Sequence, residues 1–94
     1  MSLSKTKAKQ ILRDIRKQYG DQDPPIKIKE LARINIIALR EAAEMSQKAV
    51  AEALSYTVQT VKRWEKTYPP FDRIPEIAEL YGVENKELFP GYPF

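Results

Sequence analysis

The stretch that decides the fold is Ser46-Gln47-Lys48-Ala49-Val50-Ala51-Glu52-Ala53-Leu54, then Ser55-Tyr56, then Thr57-Val58-Gln59-Thr60-Val61-Lys62-Arg63-Trp64-Glu65-Lys66. A hydroxyl residue stands ahead of each long run, Ser46 before the first and Thr57 before the second. Such a side chain accepts a hydrogen bond from a free N–H of the first helical turn and so marks a helix start. The spacing predicts a helix over Gln47–Leu54 with Ala49, Val50, Ala53 and Leu54 inward. A tight turn at Ser55-Tyr56-Thr57 follows, then a second helix to about Lys66. Two short helices joined by so few residues form a helix-turn-helix pair.

The second helix has two distinct faces. At about 100° per residue from Val58, the side chains of Val58, Lys62, Lys66, Gln59 and Arg63 fall within an arc of roughly 140°. Thr60, Trp64, Val61 and Glu65 fall on the other side, where Val61 and Trp64 suit a core. The first arc carries amide, ammonium and guanidinium groups. Arginine can bond guanine O6 and N7 together, glutamine can do the same for adenine N6 and N7, and a valine can touch a thymine methyl. Gln47, Lys48 and the free N–H groups at the start of their helix suit a phosphate.

Outward from this centre the chain reads as helix throughout. Ser4 can cap a helix from Lys5 to Tyr19, whose Ala8, Ile11, Leu12, Ile15 and Tyr19 share an arc of about 100°. Lys5, Lys9, Arg13, Arg16 and Lys17 lie opposite. That basic face is either a solvated face or an arm for phosphates. Asp21-Gln22-Asp23-Pro24-Pro25 reads as a linker, because its prolines lack N–H donors and push the preceding residues extended. A second helix is expected from near Ile28 to about Glu44. Asp72 can cap a helix Arg73 to Tyr81, with Pro75 in its first turn and Gly82 ending it in a left-handed conformation. Asn85 to Phe89 forms a last turn. Glu76 and Glu79 are expected on an exposed face. Tyr92 and Phe94 either fold back on the core or join a second copy.

The 94 residues amount to one domain. The chain has no cysteine and no histidine, which removes thiol nucleophiles, thiolate metal sites and the commonest general base. No carboxylates are spaced as a calcium loop or a catalytic pair, so neither a cofactor nor enzymatic activity is expected. No run approaches the roughly 18 apolar residues of a membrane span. The start is basic without an apolar segment, so the cytoplasm is the expected location. The net charge is +3 and uneven. Residues 1–33 hold nine Lys/Arg against four Asp/Glu, whereas residues 34–94 hold seven against nine. An anionic partner would therefore be held by a local patch rather than by the overall field.

A family resemblance extends this reading. Leu39-Arg40, Met45-Ser46-Gln47, Val50-Ala51-Glu52-Ala53-Leu54 and Thr60-Val61-Lys62-Arg63-Trp64-Glu65 lead into Ile74, Ile77-Ala78, Tyr81-Gly82-Val83 and Glu87-Leu88-Phe89. Together they resemble the lambda-repressor-like helix-turn-helix family of Xre and Cro/CI type regulators. The resemblance covers about Ile36 to Phe89. It implies an all-α fold, a five-helix lambda-repressor-like bundle, to which the N-terminal amphipathic helix is an addition. The division expected is a basic helix and linker over 1–30 and a DNA-binding domain over 31–94. The resemblance places base readers at Thr57, Val58, Gln59, Lys62 and Arg63, a phosphate contact at Gln47, and an internal ion pair between Arg40 and Glu65. With Lys48 and Lys66 from the helical faces, the expected DNA-binding set is Gln47, Lys48, Thr57, Val58, Gln59, Lys62, Arg63 and Lys66. The function implied is a sequence-specific transcriptional regulator, repressor-like, of bacterial or phage type. Its partner would be double-stranded DNA with an inverted-repeat operator, bound by a homodimer whose reading helices lie roughly 34 Å apart. The alternative is a protein-interaction module such as an antitoxin or antirepressor, with a regulatory protein as its partner.

Three departures from the family pattern bear on the structure. Glycine is usual where Ser55 and Glu44 stand, and the loop from Lys66 to Asp72 is about two residues short. A serine forced to positive φ at position 55 would cost ~1 kcal/mol.

Overall fold

The computed structural model describes residues 3–20 and 26–92. The expected linker at Asp21–Pro25 and the aromatic Phe94 lie outside the described residues. Six α-helices follow one another: α1 Lys5–Tyr19, α2 Ile28–Ala42, α3 Gln47–Leu54, α4 Val58–Lys66, α5 Ile74–Tyr81 and α6 Asn85–Leu88. No strand occurs among the described residues. The fold is all-α, with α2–α6 as the five-helix bundle and α1 added to it.

The helix starts follow the hydroxyl residues. Ser4 Oγ accepts from Lys7 N–H at 3.2 Å and Ser46 Oγ from Ala49 N–H at 3.0 Å. Thr57 Oγ1 accepts from Thr60 N–H at 3.3 Å. At α6, Glu84 and Glu87 form a capping box. Each satisfies donors that the first helical turn leaves free.

Two expected boundaries shift, each for a local reason. Helix α2 stops at Ala42 rather than Glu44, because Glu44 takes φ 58° and turns the chain back. Near residue 72, Asp72 is not a cap. Phe71–Arg73 form a 3₁₀ turn before α5 begins at Ile74. Pro75 has no N–H to give the Phe71 carbonyl, so Ile74 N–H bonds it one residue early, the 3₁₀ pattern.

Three helices end in the same way. Met45 N–H bonds Arg40 O, Tyr56 N–H bonds Ala51 O and Val83 N–H bonds Ala78 O, at 3.1, 2.8 and 3.0 Å. The left-handed residue before each donor is Glu44, Ser55 (φ 63°) and Gly82 (φ 71°) respectively. This is the Schellman ending, which favours glycine because an L side chain crowds the carbonyl there. Only the third position has one. Gly82 is also needed for space, since a Cβ there would stand 2.8 Å from Lys5 Cγ. The Ser55→Gly variant is expected to gain about 0.5–1 kcal/mol, or roughly 2–8 °C in melting temperature. Thermal melts followed by circular dichroism would show it, and a lower melting temperature would refute the strain at Ser55.

The core draws on every helix. Leu39, Ile74 and Leu88 are fully buried, with Val61, Trp64, Ile77, Ala78 and Tyr81 around them. Leu3, Ala8 and Leu12 join the same cluster, so α1 is packed into the bundle. In α3 the inward face is Val50 and Ala51 rather than the Ala49/Ala53 edge, and Ala53 is exposed. Alanine's small apolar surface marks a face poorly, so Val50 and Leu54 alone set the direction. Buried Asn35, 2% exposed, ties α2 to the end of α6 through Nδ2 donating to Leu88 O at 2.8 Å.

Candidate nucleic-acid interface

The α3–α4 pair is held at a fixed angle from behind. Trp64 is 5% exposed and Val61 2%, so the inward face of α4 is anchored as its spacing requires. Tyr56, in the turn, meets Trp64 edge-on with ring centroids 5.3 Å apart. Its hydroxyl donates to Glu76 Oε2 at 2.7 Å, which tethers the turn to α5. Glu76 is therefore half-buried and bonded, not a free member of an exposed acidic pair. Glu79 is exposed.

Glu65 joins three segments. Its carboxylate accepts from Arg40 Nε at 2.7 Å and Arg40 Nη2 at 3.1 Å. It also accepts from Gln47 Nε2 at 3.1 Å, and its backbone carbonyl accepts from Arg33 Nη1 at 3.2 Å. The Arg40–Glu65 ion pair expected from the resemblance is present. Arg40 adds a bond to Met45 O at 3.0 Å, so a single guanidinium spans α2, the α2–α3 turn and α4. The hydrogen-bonded Glu65 carboxylate raises the pKa of Arg40 above its ordinary value, opposed by burial. Arg33 is itself paired with Glu30.

Tyr81 lies beneath this ion pair and is 3% exposed. Burial, then the negative Glu65, push its phenol pKa well up, against the lowering effect of Arg40. The folded state thus holds this proton more tightly than the unfolded chain does. The stability it contributes is fully present below about pH 10 and is lost as the pH rises beyond the unfolded value. In urea titrations above about pH 10, the wild-type midpoint should fall faster than that of Tyr81→Phe. Parallel curves would show that Tyr81 does not set the alkaline limit.

In front of this scaffold lies a surface with few internal partners. Lys48, Gln59, Lys62, Arg63 and Lys66 are exposed. Among the described residues none of these side chains makes a hydrogen bond or ion pair. Thr57 is exposed, and its hydroxyl is engaged with Thr60 Oγ1 at 2.9 Å as well as with the Thr60 N–H. Val58 is half-buried at the edge of the same face. Gln47 is half-buried with one Nε2 hydrogen committed to Glu65, which leaves its second amide hydrogen and its backbone N–H for an outside acceptor. The structure therefore brings the sequence-expected residues onto α4 and the adjoining first turn of α3, with Gln47 and Thr57 partly occupied.

Sequence reasoning did not find the positioning contacts of Arg33 and Tyr56. Arg33 reaches a carbonyl 32 residues away, and no local pattern encodes that. Tyr56 carried one signal, a bulky aromatic inside a turn where small polar residues are usual. At the far end of α4, Thr67 Oγ1 donates to Arg63 O at 2.7 Å. Lys29 Nζ lies 4.6 Å from the centre of the Tyr68 ring, so the loop after α4 is fastened to α2.

No group of three or more His, Cys, Asp or Glu suited to a metal occurs among the described residues. No helix among the described residues is long and apolar enough to cross a membrane. The profile of the helix-turn-helix family, the lambda-repressor-like Xre/Cro/CI type, matches residues 36–87. No curated protein and no solved structure matches the chain.

Proposed function

The chain belongs to the lambda-repressor-like helix-turn-helix family, whose members are DNA-binding regulators, and on that premise we propose that it is a sequence-specific transcriptional regulator that reads the major groove with α4. The observation that carries this is the division of α4 into a face buried on Val61 and Trp64 and a face of exposed Gln59, Lys62, Arg63 and Lys66 with no internal partners. A free guanidinium and a free amide on one helix face match the paired acceptors and donors of guanine and adenine.

Roles follow from chemistry and placement. Arg63 and Gln59 read bases, and Val58 packs on a thymine methyl. Thr57, at the helix start, touches the base or sugar nearest the groove edge. Lys62, Lys66 and Lys48 neutralise phosphates. Gln47 offers its remaining amide hydrogen and its backbone N–H to a phosphate at the start of α3. Residues 31–94 form the reading unit, and residues 1–30 supply the basic helix α1 that packs on it. The protein acts in the cytoplasm as a homodimer on an inverted repeat, as a repressor without catalysis or cofactor.

Selection of bound sequences from random duplex DNA tests this. Enrichment of an inverted repeat, with log–log salt dependence of about −0.9 per phosphate contact, is the expected result. No enrichment and no salt dependence would reject it. One feature favours the second reading, a protein-interaction module such as an antitoxin or antirepressor. A shallow cleft of about 320 Å³ between α3 and α5 is lined by Ala53, Leu54 and Leu80 and edged by Glu76 and Glu79. A stable protein complex lost on Leu80→Glu, without DNA binding, would support that reading.

A further inference from the structure

The exposed large apolar side chains among the described residues are Ile28, Tyr68 and Phe71, at 47, 41 and 44% exposure. They come from three segments: the start of α2, the loop after α4 and the 3₁₀ turn. Contacts join them into one patch. Phe71 stacks on Tyr92 with centroids 4.5 Å apart and planes at 20°, and meets Phe89 edge-on at 5.5 Å. Gly91 brings the tail against α2 so closely that a Cβ there would stand 3.2 Å from Ile28 Cδ1. Tyr68 carries Lys29, the neighbour of Ile28, over its ring.

We infer that this patch is the two-fold interface with a second copy of the chain. Size is the first argument. Side chains of roughly 150–250 Å² left a little under half exposed present on the order of 250 Å² together. That is about a third of the ~800 Å² one partner contributes to a standard interface, a suitable apolar centre for it. Position is the second, and it alone rests on the DNA-binding reading. A dyad midway between reading helices ~34 Å apart lies ~17 Å from each helix centre. Phe71 is five residues beyond Lys66, at the end of α4 away from Thr57. Four helical residues of ~1.5 Å and five of at most ~3.3 Å put it within about 22 Å of the helix midpoint. The patch can therefore lie on such a dyad, with the α4 C-termini of the two copies turned toward each other. An isologous contact of this kind uses the same surface on both copies and closes without further growth.

The chain has no cysteine, so one introduced thiol is the only thiol present. Asp72→Cys, exposed beside Phe71, should give a disulfide-linked dimer on mild oxidation of the full chain. Glu79→Cys, on α5, should not. In sedimentation velocity the double variant Tyr68→Ser/Phe71→Ser should weaken the wild-type dimer roughly tenfold or more with an unchanged circular dichroism melt. The same variant should still bind a duplex holding one half-site, so a failure of DNA binding is read separately from a failure of this interface. Wild type that remains monomeric at high concentration and on a two-half-site duplex would overturn the inference. So would cross-linking of the Asp72→Cys variant no faster than that of Glu79→Cys, or dimerisation that appears only after removal of residues 93–94, which would assign the patch to the tail.

Discussion

The double variant Gln59→Ala/Arg63→Ala binds duplex DNA but no longer distinguishes a selected operator from random sequence. Each good bidentate base contact contributes about 1–3 kcal/mol of discrimination, so losing both removes about 2–6 kcal/mol. The gap between specific and non-specific binding is typically about 4–10 kcal/mol. A selectivity loss of roughly thirtyfold to ten-thousandfold is expected. Neither side chain has a partner within the folded chain, so the melting midpoint should stay within about 0.5 kcal/mol of wild type. Lys62→Ala/Lys66→Ala should behave differently. It should weaken binding to all sequences alike and make the salt dependence shallower by about 0.9 in log–log slope for each lost contact. Competition binding against random duplex separates the two. An unchanged operator footprint from the Gln59/Arg63 variant would show that α4 is not the base reader.

Trp64→Ala should come close to unfolding the protein. Truncating a buried tryptophan costs about 3–5 kcal/mol through lost burial and the cavity left behind. A domain of this length sits toward the low end of the usual ~5–15 kcal/mol of total stability. Trp64 also supports Tyr56, whose ring meets it edge-on and whose hydroxyl holds Glu76, so the turn between α3 and α4 loses its tether in the same step. Urea denaturation followed by far-ultraviolet circular dichroism would measure the loss. A change below about 1 kcal/mol would mean that the cluster beneath α4 is not the core that the burial of Trp64 describes.

The helices were legible because their starts and stops are local chemistry. Ser4, Ser46 and Thr57 are caps within hydrogen-bonding reach of their own first turns, and Gly82 ends α5 as its conformational freedom allows. The departures at Ser55 and Glu44 were also visible, since glycine is missing where the backbone turns left-handed. Position 72 misled because an aspartate before a helix resembles a cap, whereas the missing N–H of Pro75 decides the geometry. The outward face of α4 could be read from periodicity alone. What fixes that face in space could not, because Arg33 with the Glu65 carbonyl, Gln47 with Glu65, and Tyr56 with Glu76 are pairings between distant segments. The apolar patch was equally hidden. Ile28, Tyr68 and Phe71 are ordinary singly and become one surface only when three chain segments converge.

The packing of α1 separates the boundaries of kinship from those of folding. The family match spans residues 36–87, but Leu3, Ala8 and Leu12 fill the same cluster as Ile36 and Leu39, and the Lys5 stem lies over Gly82. A fragment cut to the matched residues would lose those three side chains along with Leu31, Ala32, Asn35 and Leu88. It would present their vacated sockets to water as a sticky surface. Anyone trimming this protein to its recognisable motif should expect an aggregating or molten fragment. The smallest piece worth expressing keeps α1 and the last turn, and its ends are set by what covers the core rather than by what its relatives share.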